Sequence, residues 1–188
     1  MSVALVDSTG EDYIILAFEV SNSLNKPLYL KASDFDIVDE NDELIDTMKL
    51  VNAYPQIIEP GNVAVYYDVK TSDKISDTNI KLKAIPHIES EKSHAKQYKL
   101  FITGVRTGGS SYAMVTVKNS SSRTEYSNVH IAVIAKKSNN EVVSVMTTTI
   151  DSIKPGAEME YKVKDRLQQR ELGSNIVTDF YNFVYIDP

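Results

Sequence analysis

The chain of 188 residues contains no cysteine and no tryptophan. Without thiols there is no cysteine nucleophile, no cysteine-ligated zinc, no iron–sulfur cluster and no disulfide framework. Without tryptophan, the eleven tyrosines and five phenylalanines are a poor sugar platform and read as strand core and rim. No apolar run approaches the roughly 18–20 residues that span a bilayer as a helix. The opening Met1–Asp7 lacks a basic segment followed by a long apolar one, so it is not a signal peptide. A cytoplasmic protein, or an exported one trimmed of its leader, would both begin this way. The excess of acid (formal net charge −6, pI near 5.1) disfavours nucleic acid, whose phosphates require a basic face.

What is abundant is β-branched. Valine and isoleucine total 36, against 22 for leucine and alanine together. Branched side chains lose rotamer freedom on a helix and pack well on a pleated surface, which excludes a helical bundle and predicts an all-β protein. The charge is uneven. Residues 1–96 hold nine Lys/Arg against seventeen Asp/Glu, and residues 97–188 hold eleven against nine. An acidic first half fits either an ordinary solvated surface or a face for a basic partner.

Two sequence patterns recur. Ile14, Leu16, Phe18 and Val20 alternate up to Asn22-Ser23, and Ala113, Val115 and Val117 alternate up to Asn119-Ser120. Each is a strand of period two closed by V-x-N-S. Ile58-Glu-Pro60-Gly61 and Ile153-Lys-Pro155-Gly156 follow, each a turn leading into a tyrosine-bearing strand at Tyr66 and Tyr161. The Asn-to-Pro separations are 38 and 36 residues, which predicts a tandem duplication. After Pro60 the apolar alternation runs Val63, Val65, Tyr67, Val69; after Pro155 it runs Met159, Tyr161, Val163. These have opposite parity, so a bulge or a different turn length is expected in one copy.

Turn signals at short intervals in each half predict two tandem immunoglobulin-like β-sandwich domains, residues 1–90 and 98–188, joined by a linker at 91–97 within the polar stretch Pro86–Gln97. Asn79–Ile85 and Tyr98–Arg106 read as strands flanking it, Lys164–Leu172 as a short helix, and the aromatic segment around Phe180, Phe183, Tyr185 and Ile186 as a last strand.

Catalytic signatures are missing: no H-E-x-x-H, G-x-S-x-G, G-x-G-x-x-G or Walker lysine. S-x-x-K occurs at Ser23–Lys26 and Ser93–Lys96 without K-T-G or S-D-N, as chance allows. His87 and His94 share the linker region with no third ligand visible, and His130 points to solvent by alternation. The run Asp34–Glu43 is the one stretch rich enough in oxygen ligands for calcium. It fails the EF-hand spacing, and alternation turns Phe35 and Ile37 inward and Asp34 and Asp36 outward, leaving Asp39–Glu43 as a hairpin turn. The sequon Asn119-Ser-Ser falls on the turn already assigned. No catalytic, cofactor or metal residue is therefore expected, and no enzyme activity.

The pattern resembles the FxLYD-type immunoglobulin-like modules of exported Gram-positive lipoproteins. The resemblance rests on V-x-N-S at Val20–Ser23 and Val117–Ser120, on Phe35-Asp-Ile-Val-Asp39 before an acidic turn, and on I-x-P-G at Ile58–Gly61 and Ile153–Gly156. Val38 replaces the usual tyrosine, and the second copy has Ile131-Ala-Val-Ile-Ala135 with neither Phe nor Asp. The resemblance implies a non-enzymatic interaction or spacer module outside the cell, tethered by a lipid on a cysteine upstream of this chain. Its partner is a protein or cell-wall ligand, met through the acidic first domain, with the membrane reached only through the anchor. The rival expectation is a cytoplasmic inhibitor of a proteinase, with the Asp46–Gln56 connection as its projecting loop.

Overall fold

The computed structural model describes residues 2–8, 11–71, 80–83, 86–90, 99–107, 112–136, 142–165 and 179–186. The protein is all-β, with several sheets and, among the described residues, no helix. It divides into two compact units, Met1–Ala95 and Lys96–Pro188. The linker expected at 91–97 lies outside the described residues.

In the first unit, β1 (Ser2–Ser8), β2 (Glu11–Ser21), β8 (Val63–Thr71) and β6 (Ala53–Tyr54) form one antiparallel layer in the order β1-β2-β8-β6. Facing it are two three-stranded pieces. One is β10 (Ile88–Ser90), β3 (Leu28–Leu30) and β7 (Ile57–Ile58); the other is β5 (Leu44–Val51), β4 (Ser33–Val38) and β9 (Lys81–Lys83). The two layers enclose a core of Ile14, Leu16, Leu30, Phe35, Ile37, Met48, Val51, Ile58, Ala64 and Tyr66. Burial of this apolar surface drives a sandwich-like arrangement, because each sheet is apolar on the face it turns inward.

The second unit repeats the order in one six-stranded sheet. One layer is β11 (Leu100–Thr107), β12 (Tyr112–Asn119) and β15 (Glu158–Asp165); the other is β14 (Val142–Ile153), β13 (Tyr126–Lys136) and β16 (Asp179–Ile186). A short β14–β15 ladder at Met146/Asp165 and Thr147/Lys164 joins the layers. Ala113, Val115, Val117 and Val163 of one layer face Val129, Ile131, Val133 and Met146 of the other across the core.

The registers of the two units coincide. Phe18 pairs with Tyr66 and Val20 with Ala64; Val115 pairs with Tyr161 and Val117 with Met159. Neither pairing contains a bulge, which corrects the expectation of one. The parity conflict has another cause. The face of β8 that meets the core carries Ala64 and Tyr66, while Val65 and Tyr67 on its other face are also buried, as are Ile15 and Ala17 of β2. A strand buried on both faces is apolar throughout, and its alternation misleads.

Three further expectations change. Ile88–Ser90, placed in the junction, is a strand paired with β3. Lys164 and Asp165, the expected helix start, close β15, and the rest of that segment lies outside the described residues. The supposed loop Asp46–Gln56 is built into β5 and β6, so nothing there projects as an inhibitory loop. No described helix is long and apolar enough to cross a membrane.

Candidate functional site

The two V-x-N-S motifs do more than turn the chain. Asn22 and Asn119 are buried, with 1% and 0% of their surface exposed. The Asn22 amide Nδ2 donates to the carbonyls of Lys26 (2.9 Å) and Ile58 (2.8 Å), and its Oδ1 accepts from the amide of Leu24 (3.0 Å). Asn119 does the same with the carbonyls of Thr124 (2.9 Å), Ile153 (3.0 Å) and Lys154 (3.1 Å) and the amide of Ser121 (2.9 Å). One side chain thus pins a strand end, the loop after it and the Pro-Gly turn opposite. Only a primary amide offers both two donors and an acceptor in that geometry. Backbone bonds complete the knot: Gly61 N donates to Asn22 O (2.8 Å) and Gly156 N to Ser121 O (3.0 Å). Gly61 and Gly156 stand at φ +78° and +71°, where a Cβ is strained although there is space for it. Burial also removes Asn119 from use as a glycan acceptor, and the loop following Ser23 is fixed by this pin.

A second knot is found, among the described residues, in the first unit. There the inner strand breaks between β3 and β4, whereas β13 runs unbroken. The Tyr66 hydroxyl crosses the core to fill the break, donating to the carbonyl of Lys31 (2.8 Å), with Ser33 Oγ at 3.4 Å. Ser33 in turn accepts from the amide of His87 (2.9 Å). Tyr161, its counterpart, is half-buried and meets Met159 Sδ (3.5 Å). Burial pushes the Tyr66 phenol above its usual range. A raised phenol favours the folded state below the unfolded phenol range and loses that contribution as pH rises through the folded value. Tyr66→Phe is therefore expected to cost about 1 kcal/mol by removing one of the two hydroxyl donors to the Lys31 carbonyl, the other being Ser33 Oγ (3.0 Å). It is also expected to flatten the loss of stability above about pH 10, read from urea unfolding across pH.

The acidic hairpin folds as the alternation predicts, with Phe35 and Ile37 buried and Asp34 and Asp36 exposed. Its carboxylates serve the hairpin itself. Asp34 accepts from the amide of Leu50 (2.8 Å) and Asp36 from the Thr47 hydroxyl (2.8 Å). Asp39 Oδ1 takes the amides of Asn41 and Glu43, both at 2.8 Å, which holds that carboxyl below its usual value. A depressed carboxyl contributes above its unfolded value and loses that contribution as pH falls through the folded one. The Asn41 and Glu43 amide resonances are therefore expected to shift together below about pH 4, and Asp39→Ala to abolish that step.

Elsewhere the polar groups are dispersed. His87 faces Glu89 (3.6 Å), itself bonded to Lys31 (2.6 Å); half-buried His130 meets the Thr149 hydroxyl (3.1 Å); His94 lies outside the described residues. The outer face of β11, β12 and β15 carries two ion pairs, Arg106 on Glu160 (2.8 Å) and Lys118 near Glu158 (3.6 Å), and a cation over a ring, Lys162 on Tyr112 (3.8 Å). Ser144 Oγ is buried in the second core with no hydrogen-bond partner among the described residues. Ser144→Ala is expected to be neutral or to stabilise by about 1 kcal/mol in thermal unfolding, since it removes an unmet polar group. Among the described residues no three His, Asp or Glu come together to hold a metal ion. Ser33, His87 and Glu89 are neighbours, but the Ser33 hydroxyl meets the backbone amide of His87 while the His87 ring faces Glu89.

No family model and no curated protein matches the chain. Among solved structures it is similar to a β-glucuronidase from glycoside hydrolase family 2, at 11% identity and a TM-score of 0.23. The match covers 94% of this chain but only 24% of that one.

Proposed function

We propose that the chain is a pair of tandem immunoglobulin-like modules of the FxLYD type, acting as a non-enzymatic interaction or spacer segment on the outer face of a cell envelope and held there by a lipid anchor. One observation carries the reading. Both units are built around the same buried asparagine pin and an apolar core, and many of the described polar side chains outside the pins tie turns, strand ends and the surface together. That is the economy of a scaffold. The fold is used to hold strands and their edges at fixed positions, and binding would fall to surfaces and edges rather than to a cleft. The acidic first unit is the favoured contact face, through its charge.

The test is fractionation of the source cells with mass measurement of the native N-terminus. Recovery with membranes, on a chain beginning at a lipid-modified cysteine, supports the reading. A soluble protein beginning at Met1 or Ser2 overturns the location and the anchor together.

A further inference from the structure

The two units differ at one seam. In the second, β14 and β15 are hydrogen-bonded to each other at Met146/Asp165 and Thr147/Lys164. In the first, β5 is the outer strand of its sheet among the described residues, and β8 meets only the short β6 on that side, at Ala53 and Tyr54. Beyond Ala53, toward Asp46 and Lys70, charged side chains span the seam. The amide of Tyr67 points across it to the carbonyl of Asn52 (3.3 Å), and strand periodicity turns the amide of Val69 the same way. That amide donates to its neighbour Asp68 (2.9 Å), as the Thr47 amide of β5 donates to its neighbour Asp46 (2.8 Å). Lys70 of β8 spans the seam to both oxygens of Asp46, at 2.7 and 2.6 Å.

Carboxylates therefore cover amides where the other unit has a backbone ladder. An exposed strand edge is a template for a further strand, and side chains that cap it are exchangeable for a real one. Charge selects the occupant. Residues 33–51 carry seven Asp/Glu and a single Lys, and β5 shows exposed Leu44 and Leu50. A second copy of this chain, net −6, would bring like charge to like.

We propose that the β5–β8 seam of the first unit is a docking slot for an extended, basic polypeptide segment. The inference rests on the interaction-module reading and names its partner. The incoming backbone takes over the amides of Thr47 and Val69. Its lysines or arginines take the carboxylates of Asp46 and Asp68, and its alternate apolar residues meet the exposed leucines of β5.

The probe is a short, end-capped, labelled peptide of alternating lysine and valine, added to the full chain and followed by anisotropy and amide hydrogen exchange. Two controls are the same peptide with glutamate for lysine, and an equally charged lysine peptide broken by glycine and proline. Binding to the alternating peptide is expected to exceed both controls by about tenfold, to weaken with salt, and to slow exchange at Thr47 and Val69. Asp46→Lys is expected to lose about tenfold, while Glu59→Lys, the same charge change on the Pro-Gly turn, is expected to leave affinity unchanged. No binding overturns the proposal. So does equal binding of the broken peptide, equal loss in both variants, or unchanged exchange at Thr47 and Val69 in the unsubstituted protein. Each of those outcomes leaves the envelope reading standing, since that reading falls only on fractionation.

Discussion

Asn119→Ala is expected to lower the stability of the second unit by about 2–4 kcal/mol, and Asn22→Ala to do the same in the first. The size follows from what is left behind. Removing the Asn119 amide deprives the carbonyls of Thr124, Ile153 and Lys154 of a donor and the amide of Ser121 of an acceptor. A buried group without a partner keeps its desolvation cost and loses its bond, about 1–3 kcal/mol each before relaxation. Asn→Asp should be no milder, because a carboxylate turns acceptors toward carbonyl oxygens. Ser120→Ala, one residue on and exposed, sets the baseline at within about 0.5 kcal/mol. Urea unfolding followed by circular dichroism reads all four variants. An Asn119→Ala protein as stable as Ser120→Ala would show that the pin merely fits the turn and does not hold it.

The other large effect belongs to Phe35, which is fully buried between two rings, 5.7 Å from Phe18 and 5.2 Å from Tyr66 between centroids. Phe35→Ala is expected to cost about 3–5 kcal/mol, combining lost transfer energy with the cavity left among rigid neighbours. Loss of the tilted ring contacts adds to it, each such pair contributing about 0.5–1.5 kcal/mol beyond its buried area. Phe35→Leu keeps most of the volume and is expected to cost less than half as much. Urea unfolding followed by circular dichroism reads both variants. If the alanine variant unfolds no earlier than the leucine one, the core has collapsed around the gap.

The strands were legible in sequence wherever one face is wet. Ala113, Val115 and Val117 alternate with less buried neighbours, and the structure turns them inward as expected. The turns were legible too, because Pro-Gly leaves the backbone few choices. The alternation failed in β8, where Val65 and Tyr67 on one face are as buried as Ala64 and Tyr66 on the other, and period two carries no information about which face is the core. The connection Asp46–Gln56 was misread for a related reason. Its polar residues mark a seam strand with Lys49 and Leu50 exposed, and polarity alone does not separate an edge strand from a loop. The asparagine pins were half visible. V-x-N-S announces a turn, but a turn needs its Asn only locally, whereas this Asn reaches residues 34–36 positions away. The signal that could have exposed it is its recurrence at the same register in both halves, together with Ile-x-Pro-Gly at nearly the same distance. The Tyr66 knot had no such signal, because it answers a strand break that exists in one unit only.

The pins also bear on how the molecule ages. Asn22 and Asn119 are each followed by serine, a sequence in which a mobile asparagine cyclises and hydrolyses to aspartate. Cyclisation needs the next backbone nitrogen to swing onto the side-chain carbonyl, and in both units that side chain is held by three or more bonds within the fold. The folded state thus shields the two residues on which it depends. A chain that lingers unfolded loses that shield, and each deamidation puts a negative charge where carbonyl oxygens must close. Repeated heating should therefore erode refolding irreversibly, leaving chains heavier by one deamidation at each altered site.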